Sequence, residues 1–332
     1  MVLTETTANL NHADFCPAID RVIETFESLE ETQRFKPDLL ITIGHSIVSK
    51  KIKALLRPGI EDVQPFHRTT WHVGKEQFYL DTLQSLTHHI PAFANDFFEQ
   101  FIEYIAPNSN SNYAEIWQNR NSETEKYHHE YLKTCEWSDL KAFERVLDIL
   151  PQGTNLQMGN SSAIRYVLLF PQRKDVLYNS NRGVAGIDGC TSTAIGAAIV
   201  NNRPTTVITG DISFFYDSNA FWNSRLPENL RVILINNGGG NIFRIIPGPD
   251  TTNQLEDYFE THHNLQSKHI ANLFDLNYYQ ANSEETLAEA LKLFYEKQEN
   301  GRPAILEIVT PRFENDKVLK RYFEFLKERI HG

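Results

Sequence analysis

A carboxylate and a side-chain amide follow two successive apolar segments of the sequence. The first segment ends at Gly210-Asp211, and the second ends at Asn237, which precedes a run of three glycines. If these segments are neighbouring parallel strands, Asp211 and Asn237 point into one crevice at the sheet edge. A carboxylate, an amide and a free glycine carbonyl form an oxygen-only ligand set, which suits Mg²⁺ completed by water and phosphate oxygens. Exposed N–H groups of the glycine run and of a helix starting at Asp211 could hold the same phosphates.

Two further loops carry residues suited to binding an anionic ligand. Ser161 and Arg165 lie one helical turn apart after the segment Met158-Gly-Asn, so the pattern predicts that they share a face. Residues 180–189 contain three glycines, Arg182 and an aspartate, which is typical of backbone that approaches a ligand closely. A helix cap with a surface arginine, and an ordinary glycine turn, are the alternative interpretations. The sequence contains neither a GxGxxG nor a GxxxxGK[ST] motif.

These loops require a parallel sheet to bring them to one edge. Apolar segments alternate with helical patterns, which is typical of βαβ crossovers with helices on both faces of the sheet. The predicted strands are 154–158, 175–178, 205–209, 231–235 and 304–309, and the predicted helices are 138–150, 161–170, 191–201 and 217–225. An earlier strand at 38–44 precedes a helix that begins at Ser46 and ends near Leu56. The predicted fold class is α/β with two doubly wound parallel-sheet domains.

Composition excludes several classes of function. The 332 residues include 32 Lys and Arg against 43 Asp and Glu, a net charge of −11 that disfavours nucleic acid as a partner. No apolar run is long enough to cross a membrane, and the first residues do not form a signal peptide. The three widely spaced cysteines, Cys16, Cys135 and Cys190, argue against a disulfide framework and a zinc site. We therefore expect a cytoplasmic protein.

The pair of strand ends resembles the thiamine-diphosphate signature, in which Gly-Asp is followed after this interval by Asn-Asn. The resemblance implies that Asp211, Asn237 and the carbonyl of Gly239 hold the Mg²⁺, or Mn²⁺, that bridges the diphosphate of the cofactor. It also implies cofactor contacts from a set of nearby residues: Ile187, Gly210, Ile212, Ser213, Gly240, Asn241 and Ile242. Among these, Ile187 matches the apolar residue that bends the cofactor, with ordinary core packing as the alternative.

More narrowly, the chain resembles the 2-succinyl-5-enolpyruvyl-6-hydroxy-3-cyclohexene-1-carboxylate synthases of menaquinone biosynthesis. The motifs that carry this resemblance are Gly159-Asn-Ser161 with Arg165, Ser180-Asn-Arg182-Gly with Gly186-Ile-Asp-Gly189, and Asn237-Gly-Gly-Gly-Asn-Ile-Phe243 with Ile246-Pro247. The similarity is close from about Cys135 onward and looser before it. Ile212 stands where most thiamine enzymes have glycine, and an aliphatic residue there is common in this family.

The resemblance implies a transferase that decarboxylates 2-oxoglutarate and adds the succinyl carbanion to isochorismate. Both substrates are dicarboxylates, so Arg165 and Arg182, with Ser161, are expected to clamp carboxylates. Phe243 and Ile246 match apolar positions of the substrate pocket. Another thiamine enzyme, of the oxoacid decarboxylase or acetohydroxyacid synthase type, and a non-catalytic diphosphate-binding module are the alternatives.

The resemblance also predicts the division of the chain. We expect residues 1–120 to form a central α/β domain that is truncated at its start, and residues 121–332 to form the domain that binds diphosphate and Mg²⁺. The Asn/Ser-rich segment 107–112 is the composition change nearest this boundary. The family's N-terminal pyrimidine-binding domain, which supplies the activating glutamate, is not matched, so we expect the isolated chain to be inactive. A homo-oligomer is expected from the same family.

Two histidine pairs, His128-His129 and His262-His263, are interpreted from the sequence as solvated residues rather than ligands.

Overall fold

The computed structural model describes residues 1–44, 46–58, 68–76, 81–106 and 110–332. Its strands are β1 (Val2–Leu3), β2 (Phe15–Cys16), β3 (Leu39–Ile43), β4 (Thr69–Val73), β5 (His88–Ile90), β6 (Asn155–Met158), β7 (Leu177–Ser180), β8 (Thr205–Gly210), β9 (Leu230–Asn236), β10 (Asn277–Ala281) and β11 (Ala304–Val309). Its helices are α1 (Ile19–Ile23), α2 (Leu29–Arg34), α3 (Lys50–Leu56), α4 (Ala94–Tyr104), α5 (Tyr113–Leu132), α6 (Asp139–Ile149), α7 (Ser162–Val167), α8 (Cys190–Val200), α9 (Asp211–Tyr216), α10 (Lys268–Leu273), α11 (Glu284–Phe294) and α12 (Asn315–His331).

The larger sheet has six parallel strands in the order β10-β11-β9-β8-β6-β7. Its central strands are apolar on both faces because successive residues pack on opposite sides. Ile208 and Ile233 join a cluster with residues of α6, α7, α11 and α12, whereas Val207 and Val232 join a second cluster with residues of α8, α9 and α10. Helices thus cover both faces, and the prediction of an α/β fold with a parallel sheet is confirmed.

A smaller sheet of three parallel strands, β3-β4-β5, lies in the first part of the chain. The predicted strand at 38–44 is its edge strand β3. The helix that follows begins later than expected, because Ser49 rather than Ser46 accepts the capping hydrogen bond, from the backbone N–H of Ile52 at 3.0 Å.

Some predicted bounds of the larger unit were wrong. The expected helix at 217–225 is a short 3₁₀ helix at Ser218–Trp222, and the α-helix of that crossover, α9, starts directly at the strand end. Phe214 and Phe221 are both buried, so the apolar residues are divided between two short helices. Strand β10 was not predicted from the sequence. Its residues are mostly polar or tyrosine, and it forms an edge of the sheet.

The long helix α5 contacts α1 on one side and α12 on the other. It runs through residues 120 and 121, where the domain boundary was expected, and that boundary stays a prediction. Residues 107–109 of the Asn/Ser-rich segment lie outside the described residues. Among the helices that the structure describes, none combines the length and the apolar character needed to cross a membrane.

Candidate functional site

Asp211 and Asn237 lie at the carboxyl ends of two adjacent strands. Strands β8 and β9 pair in parallel with Gly210 opposite Ile235, so the strand ends that carry the two side chains are neighbours, as the sequence analysis expected. The chain goes from β6 outward to β7 and then returns to β8 on the other side of β6. This reversal opens a crevice between the loops after β6 and β8, the usual ligand position in such sheets.

The buried carboxylate of Asp211 organises the loop after β9. Its Oδ2 accepts hydrogen bonds of 2.9 Å from the backbone N–H groups of both Gly238 and Gly239, and its Oδ1 accepts one of 2.7 Å from Ile212 N–H. His263 Nε2 lies 3.4 Å from Oδ2. The carboxylate therefore ties the start of α9 to the glycine run.

Asn237 is held by a residue from a distant helix. Its Nδ2 donates a 3.0 Å hydrogen bond to Oδ2 of Asp139, the first residue of α6, while Oδ1 of Asp139 accepts from the Thr310 hydroxyl at 2.6 Å. Burial raises the pKa of Asp139 to about 6, against the opposing hydrogen bonds from Thr310 and Asn237. Because Nδ2 is engaged, the orientation of the amide is fixed, and Oδ1 of Asn237 is buried without a hydrogen-bond partner in the described structure.

The backbone of the glycine run lies so close to a neighbouring segment that a side chain at Gly239 would collide with it. Gly239 has φ +155°, and a Cβ there would lie 2.7 Å from the backbone oxygen of Glu260. That oxygen accepts the N–H of Gly240 at 2.5 Å. The Glu260 carboxylate is itself held by Arg244 and Arg312, the latter at 2.6 Å. A buried ion-paired glutamate thus supports the loop from behind.

The residues after the glycine run lie along a short 3₁₀ helix, Asn241–Arg244. Asn241 is buried, donates through Nδ2 to Arg312 O at 2.7 Å, and leaves Oδ1 without a partner among the residues described. Ile242 is buried as well, whereas Phe243 and Ile246 are half-buried. The ring of Phe243 lies 5.5 Å from that of Phe259.

The loop after β6 has a strained backbone. Ser161 adopts φ +67° and ψ −124°, a conformation that L residues rarely occupy, and its carbonyl accepts a 2.5 Å hydrogen bond from Arg165. Arg182 donates to Oδ1 of Asn160 at 2.6 Å, and the amide of Asn160 in turn donates to Gly186 O at 2.6 Å. The structure therefore connects the two loops that carry the predicted arginines.

Arg165 and Arg182 form a cationic pair that has no carboxylate partner among the described residues. Burial lowers the pKa of Arg165, and the charge of Arg182 lowers it further, while Asp20 opposes both effects. Burial likewise lowers the pKa of Arg182. Over the described ranges, neither guanidinium has a carboxylate oxygen within 4.0 Å, and Nε of Arg182 is buried without a partner. The pair is suited to an anionic ligand.

The remaining predicted cofactor residues lie close to the start of α9. The Ser213 hydroxyl donates to the backbone oxygen of Ile187, so the glycine-rich loop 180–189 contacts α9. Ile187 and Ile212 are both half-buried, and a Cβ at Gly210 would meet no heavy atom within 4 Å. Part of the Ile187 surface stays exposed, and its contact with the cofactor stays a prediction.

Sequence reasoning missed three residues that shape this site: Asp139, Glu260 and His263. None belongs to a strand end, and each reaches the site through tertiary contacts. The interpretation of His263 as solvated was wrong, since its side chain is 11% exposed and its ring lies against Phe215 beside Asp211. His262, which is exposed, lies with Nδ1 3.0 Å from Gly238 O.

The chemistry of the site fits a cation and an anionic cofactor. The buried amide oxygens of Asn237 and Asn241 lack donors in the described structure, and an acceptor-only oxygen in that state is stabilised by a cation or a ligand donor. Gly239 leaves space where a side chain would collide with the loop. The Asn237 oxygen, which has no partner in the described structure, fits the predicted Mg²⁺ site, and the roles of Asp211 and the Gly239 carbonyl as further ligands stay predictions.

Comparison with known proteins agrees with this geometry. The family model described as "Thiamine pyrophosphate enzyme, C-terminal TPP binding domain" matches residues 158–308, from the last residue of β6 through β7, β8, β9 and β10 to the next-to-last residue of β11. That range contains every candidate site residue named from the sequence.

Curated relatives match nearly the whole chain, and those named below are each called 2-succinyl-5-enolpyruvyl-6-hydroxy-3-cyclohexene-1-carboxylate synthase. The protein of Flavobacterium johnsoniae is 43% identical over 329 residues, covering 98% of this chain and 57% of the relative. That of Flavobacterium psychrophilum is 45% identical with the same coverage, and that of Porphyromonas gingivalis is 36% identical over 98% of this chain and 56% of the relative.

The chain thus spans somewhat more than half the length of the curated relatives it matches. The similarity includes the first 120 residues, where the sequence motifs are weakest. Residues 158–308 therefore belong to the C-terminal domain family of the thiamine pyrophosphate enzymes, and over nearly all its length the chain is homologous to the 2-succinyl-5-enolpyruvyl-6-hydroxy-3-cyclohexene-1-carboxylate synthases.

Proposed function

We propose that this chain provides the diphosphate- and Mg²⁺-binding part of an enzyme that decarboxylates 2-oxoglutarate and transfers the remaining four-carbon unit to isochorismate. The names of the relatives support this reaction. The structural observation that carries the proposal is the cationic pair of Arg165 and Arg182, which follow β6 and β7 and have no carboxylate partner among the described residues.

In this proposal, Asp211, Asn237 and the Gly239 carbonyl coordinate Mg²⁺. Asp139 holds the Asn237 amide so that Oδ1, rather than Nδ2, faces the ion. The remaining ligand positions are left to water and to diphosphate oxygens, as is usual for Mg²⁺. The start of α9, with Ser213 and the half-buried Gly210, would contact the diphosphate.

Apolar residues orient the rest of the cofactor and exclude water. Ile187 and Ile212 are both half-buried, and Ser213 fixes the Ile187 backbone by its hydrogen bond. Thiamine diphosphate, when bound, supplies the electron sink that allows a 2-oxo acid to lose carbon dioxide. The role of the protein is to position the substrates against it.

Arg165 and Arg182 select dicarboxylates. A guanidinium binds a carboxylate through paired hydrogen bonds, and two partly buried guanidiniums side by side repel each other until an anion binds. The distal carboxylate of 2-oxoglutarate provides that anion, whereas a monocarboxylate such as pyruvate does not. Phe243 and Ile246, which are half-buried, supply the apolar surface of the proposed substrate pocket.

The proposal includes a pyrimidine-binding domain as a partner, because the resemblance assigns the activating glutamate to that domain. It also includes a homo-oligomer and a reducing compartment such as the cytoplasm, which the three free thiols support.

Calorimetric titration of thiamine diphosphate into this chain, with Mg²⁺ in excess, tests the cofactor site. We expect binding that Asp211→Asn abolishes and that Asp257→Asn, a change at an exposed acid outside the site, leaves unchanged. Equal binding by both variants would reject the assignment of the metal ligands.

Substrate choice is tested by carbon dioxide release in the presence of a pyrimidine-binding domain from a relative. Release from 2-oxoglutarate but not from pyruvate supports the proposed reaction. The reverse preference would favour an oxoacid decarboxylase, and cofactor binding with no release from either acid would favour a non-catalytic module.

A further inference from the structure

A group of two histidines and a glutamate lies at the end of the smaller sheet, outside the candidate cofactor site. His72 on β4 and His89 on β5 are directly opposite each other in the parallel register, and Glu76 follows β4 by three residues. One ring nitrogen of each histidine and one carboxylate oxygen of Glu76 all lie within 4.8 Å of one another. Two imidazoles and a carboxylate are a common ligand set for divalent transition metals.

Hydrogen bonds fix which nitrogen of His72 carries a proton. The Thr42 hydroxyl donates to Trp71 O at 3.2 Å, so its oxygen accepts from His72 Nδ1–H at 3.0 Å. In the neutral ring, the lone pair is then on Nε2, which lies 3.5 Å from Oε1 of Glu76. A lone pair facing a carboxylate is repulsive unless a cation lies between them. A second proton on His72 or a metal ion would each supply such a cation.

The ring of His89 is also oriented by a hydrogen bond from one of its nitrogens. Its Nε2 lies 3.1 Å from the backbone oxygen of Gly74, which can only accept, so Nε2 carries the proton and the neutral ring keeps its lone pair on Nδ1. Metal-binding histidines usually donate their other ring N–H to a carbonyl, hydroxyl or carboxylate in this way. Each imidazole thus has one ring nitrogen hydrogen-bonded to the protein, as metal-binding histidines usually have.

Gly74 allows the carboxylate to reach the histidines. A Cβ at this position would lie 1.9 Å from Oε2 of Glu76, so the glutamate side chain folds back across the glycine at the end of β4. The group is also largely shielded from water, since the His72 side chain is fully buried and that of Glu76 is 20% exposed. Away from water the effective dielectric constant is lower, which strengthens the attraction between a carboxylate and a cation.

We propose that His72, Glu76 and His89 bind one divalent metal ion of the zinc class, with water in the remaining position. Nitrogen ligands favour Zn²⁺ over Mg²⁺, which prefers oxygen ligands, so this site differs in chemistry from that of Asp211 and Asn237. The ion would join two adjacent strands to the residues that follow β4 and so stabilise the small sheet. The cysteine count argued against zinc, but the ligands proposed here include no cysteine.

Metal binding can be measured on the chain itself, prepared without a polyhistidine tag, stripped with a chelator and kept in excess Mg²⁺. We expect a single equivalent of Zn²⁺ in competition with a chromophoric chelator, and an intense visible spectrum of four-coordinate Co²⁺ when Co²⁺ replaces it. Zn²⁺ should also raise the Tm, because a ligand that binds only the folded state stabilises that state.

Three variants make the test specific. Glu76→Gln and His89→Gln should each lower Zn²⁺ affinity by at least about 100-fold and abolish the Co²⁺ spectrum, since each removes a ligand. His88→Gln is the matched control, because His88 is exposed on the same strand and its ring lies against Trp71. It should bind like the unmodified chain.

The proposal is rejected if the unmodified chain takes up no more Zn²⁺ than His89→Gln, or if the Co²⁺ spectrum is that of an octahedral oxygen site. If Glu76→Gln does not fold, shown by circular dichroism without metal, the comparison of His89→Gln with His88→Gln decides. The proposal is independent of the cofactor function, so failure of either leaves the other standing.

Discussion

The side-chain amide of Asn237 donates a 3.0 Å hydrogen bond to the buried carboxylate of Asp139, which leaves the amide oxygen of Asn237 without a partner in the described structure. An amide can present either its oxygen or its nitrogen to a ligand, and only the oxygen can bind a cation. Asp139 is thus a positioning residue for the proposed Mg²⁺ site, since it acts through Asn237.

Replacing Asp139 should weaken metal binding. We expect Asp139→Ala to lower Mg²⁺-dependent affinity for thiamine diphosphate roughly 10- to 100-fold, the effect typical of residues that orient metal ligands. Calorimetry measures the affinity, and thermal denaturation without metal reports whether the variant folds. Asp148→Ala, at an exposed position of the same helix α6, should bind normally. Unchanged affinity in a folded Asp139→Ala variant would contradict the positioning role.

Arg165 should matter more for dicarboxylates than for monocarboxylates. In the enzyme completed by a pyrimidine-binding domain, Arg165→Ala should lose roughly 1.5–3 kcal/mol of transition-state stabilisation with 2-oxoglutarate, the scale of a hydrogen bond to a charged group. The loss with a monocarboxylate 2-oxo acid should be much smaller. The measurement is kcat/KM for both acids, with Arg203→Ala, an exposed arginine, as control. Equal losses on both acids would show that Arg165 does not bind the distal carboxylate.

Gly239→Ala and Gly196→Ala should have opposite effects on stability. At Gly239 the new Cβ meets the Glu260 backbone at 2.7 Å with φ +155°, so we expect a loss of about 1–3 kcal/mol in the free energy of unfolding. Gly196 is exposed inside α8, and a Cβ there meets nothing within 4 Å, so alanine should add about 0.5–1 kcal/mol. Urea unfolding measures both. A neutral Gly239→Ala would mean that the loop rearranges at little cost.

His128 should make the protein sensitive to acid. Burial lowers its pKa to about 2, with a smaller contribution from the charge of Arg21, and its Nδ1 lies 2.8 Å from the Tyr322 hydroxyl. The unfolded chain binds a proton near pH 6.5 and the folded one does not, so stability falls as the pH decreases below about 6.5. The expectation from sequence that His128 is solvated was wrong, because its side chain is fully buried.

The size of this effect follows from proton linkage. His128 should account for a loss of about 2 kcal/mol in the free energy of unfolding between about pH 7 and about pH 5. Urea unfolding of His128→Asn should show a correspondingly smaller dependence on pH, while His129→Asn, at the exposed neighbouring position, should behave like the unmodified chain. An identical pH dependence in all three proteins would exclude His128 as the source.

Strand ends were the part of the site that sequence could predict. Asp211 and Asn237 stand out because they follow apolar strands at the carboxyl edge of a parallel sheet, where ligands usually bind. Asp139 could not be found in this way, because it begins a helix and contacts Asn237 from 98 positions away in the chain. No local pattern encodes such a contact.

Local sequence patterns were likewise sufficient to predict some helices and strands but not others. Helices α6 and α8 were expected close to their observed bounds, since both have a strong apolar face or composition. Strand β10 was missed because it is an edge strand with polar and tyrosine residues, and its pairing with β11 supplies the stability that its composition lacks. Such elements depend on tertiary contacts.

The hydrogen bonds of Asp139 also bear on the order of folding. Its two carboxylate oxygens join Asn237 and Thr310, which lie 98 and 171 positions away in the chain. Contacts between such distant segments form late, because the loops they close must first lose their conformational entropy. The amide oxygen of Asn237 is therefore presented only after residues 139, 237 and 310 have assembled. Cofactor binding followed during refolding would report completion of the whole six-stranded unit rather than of a local motif.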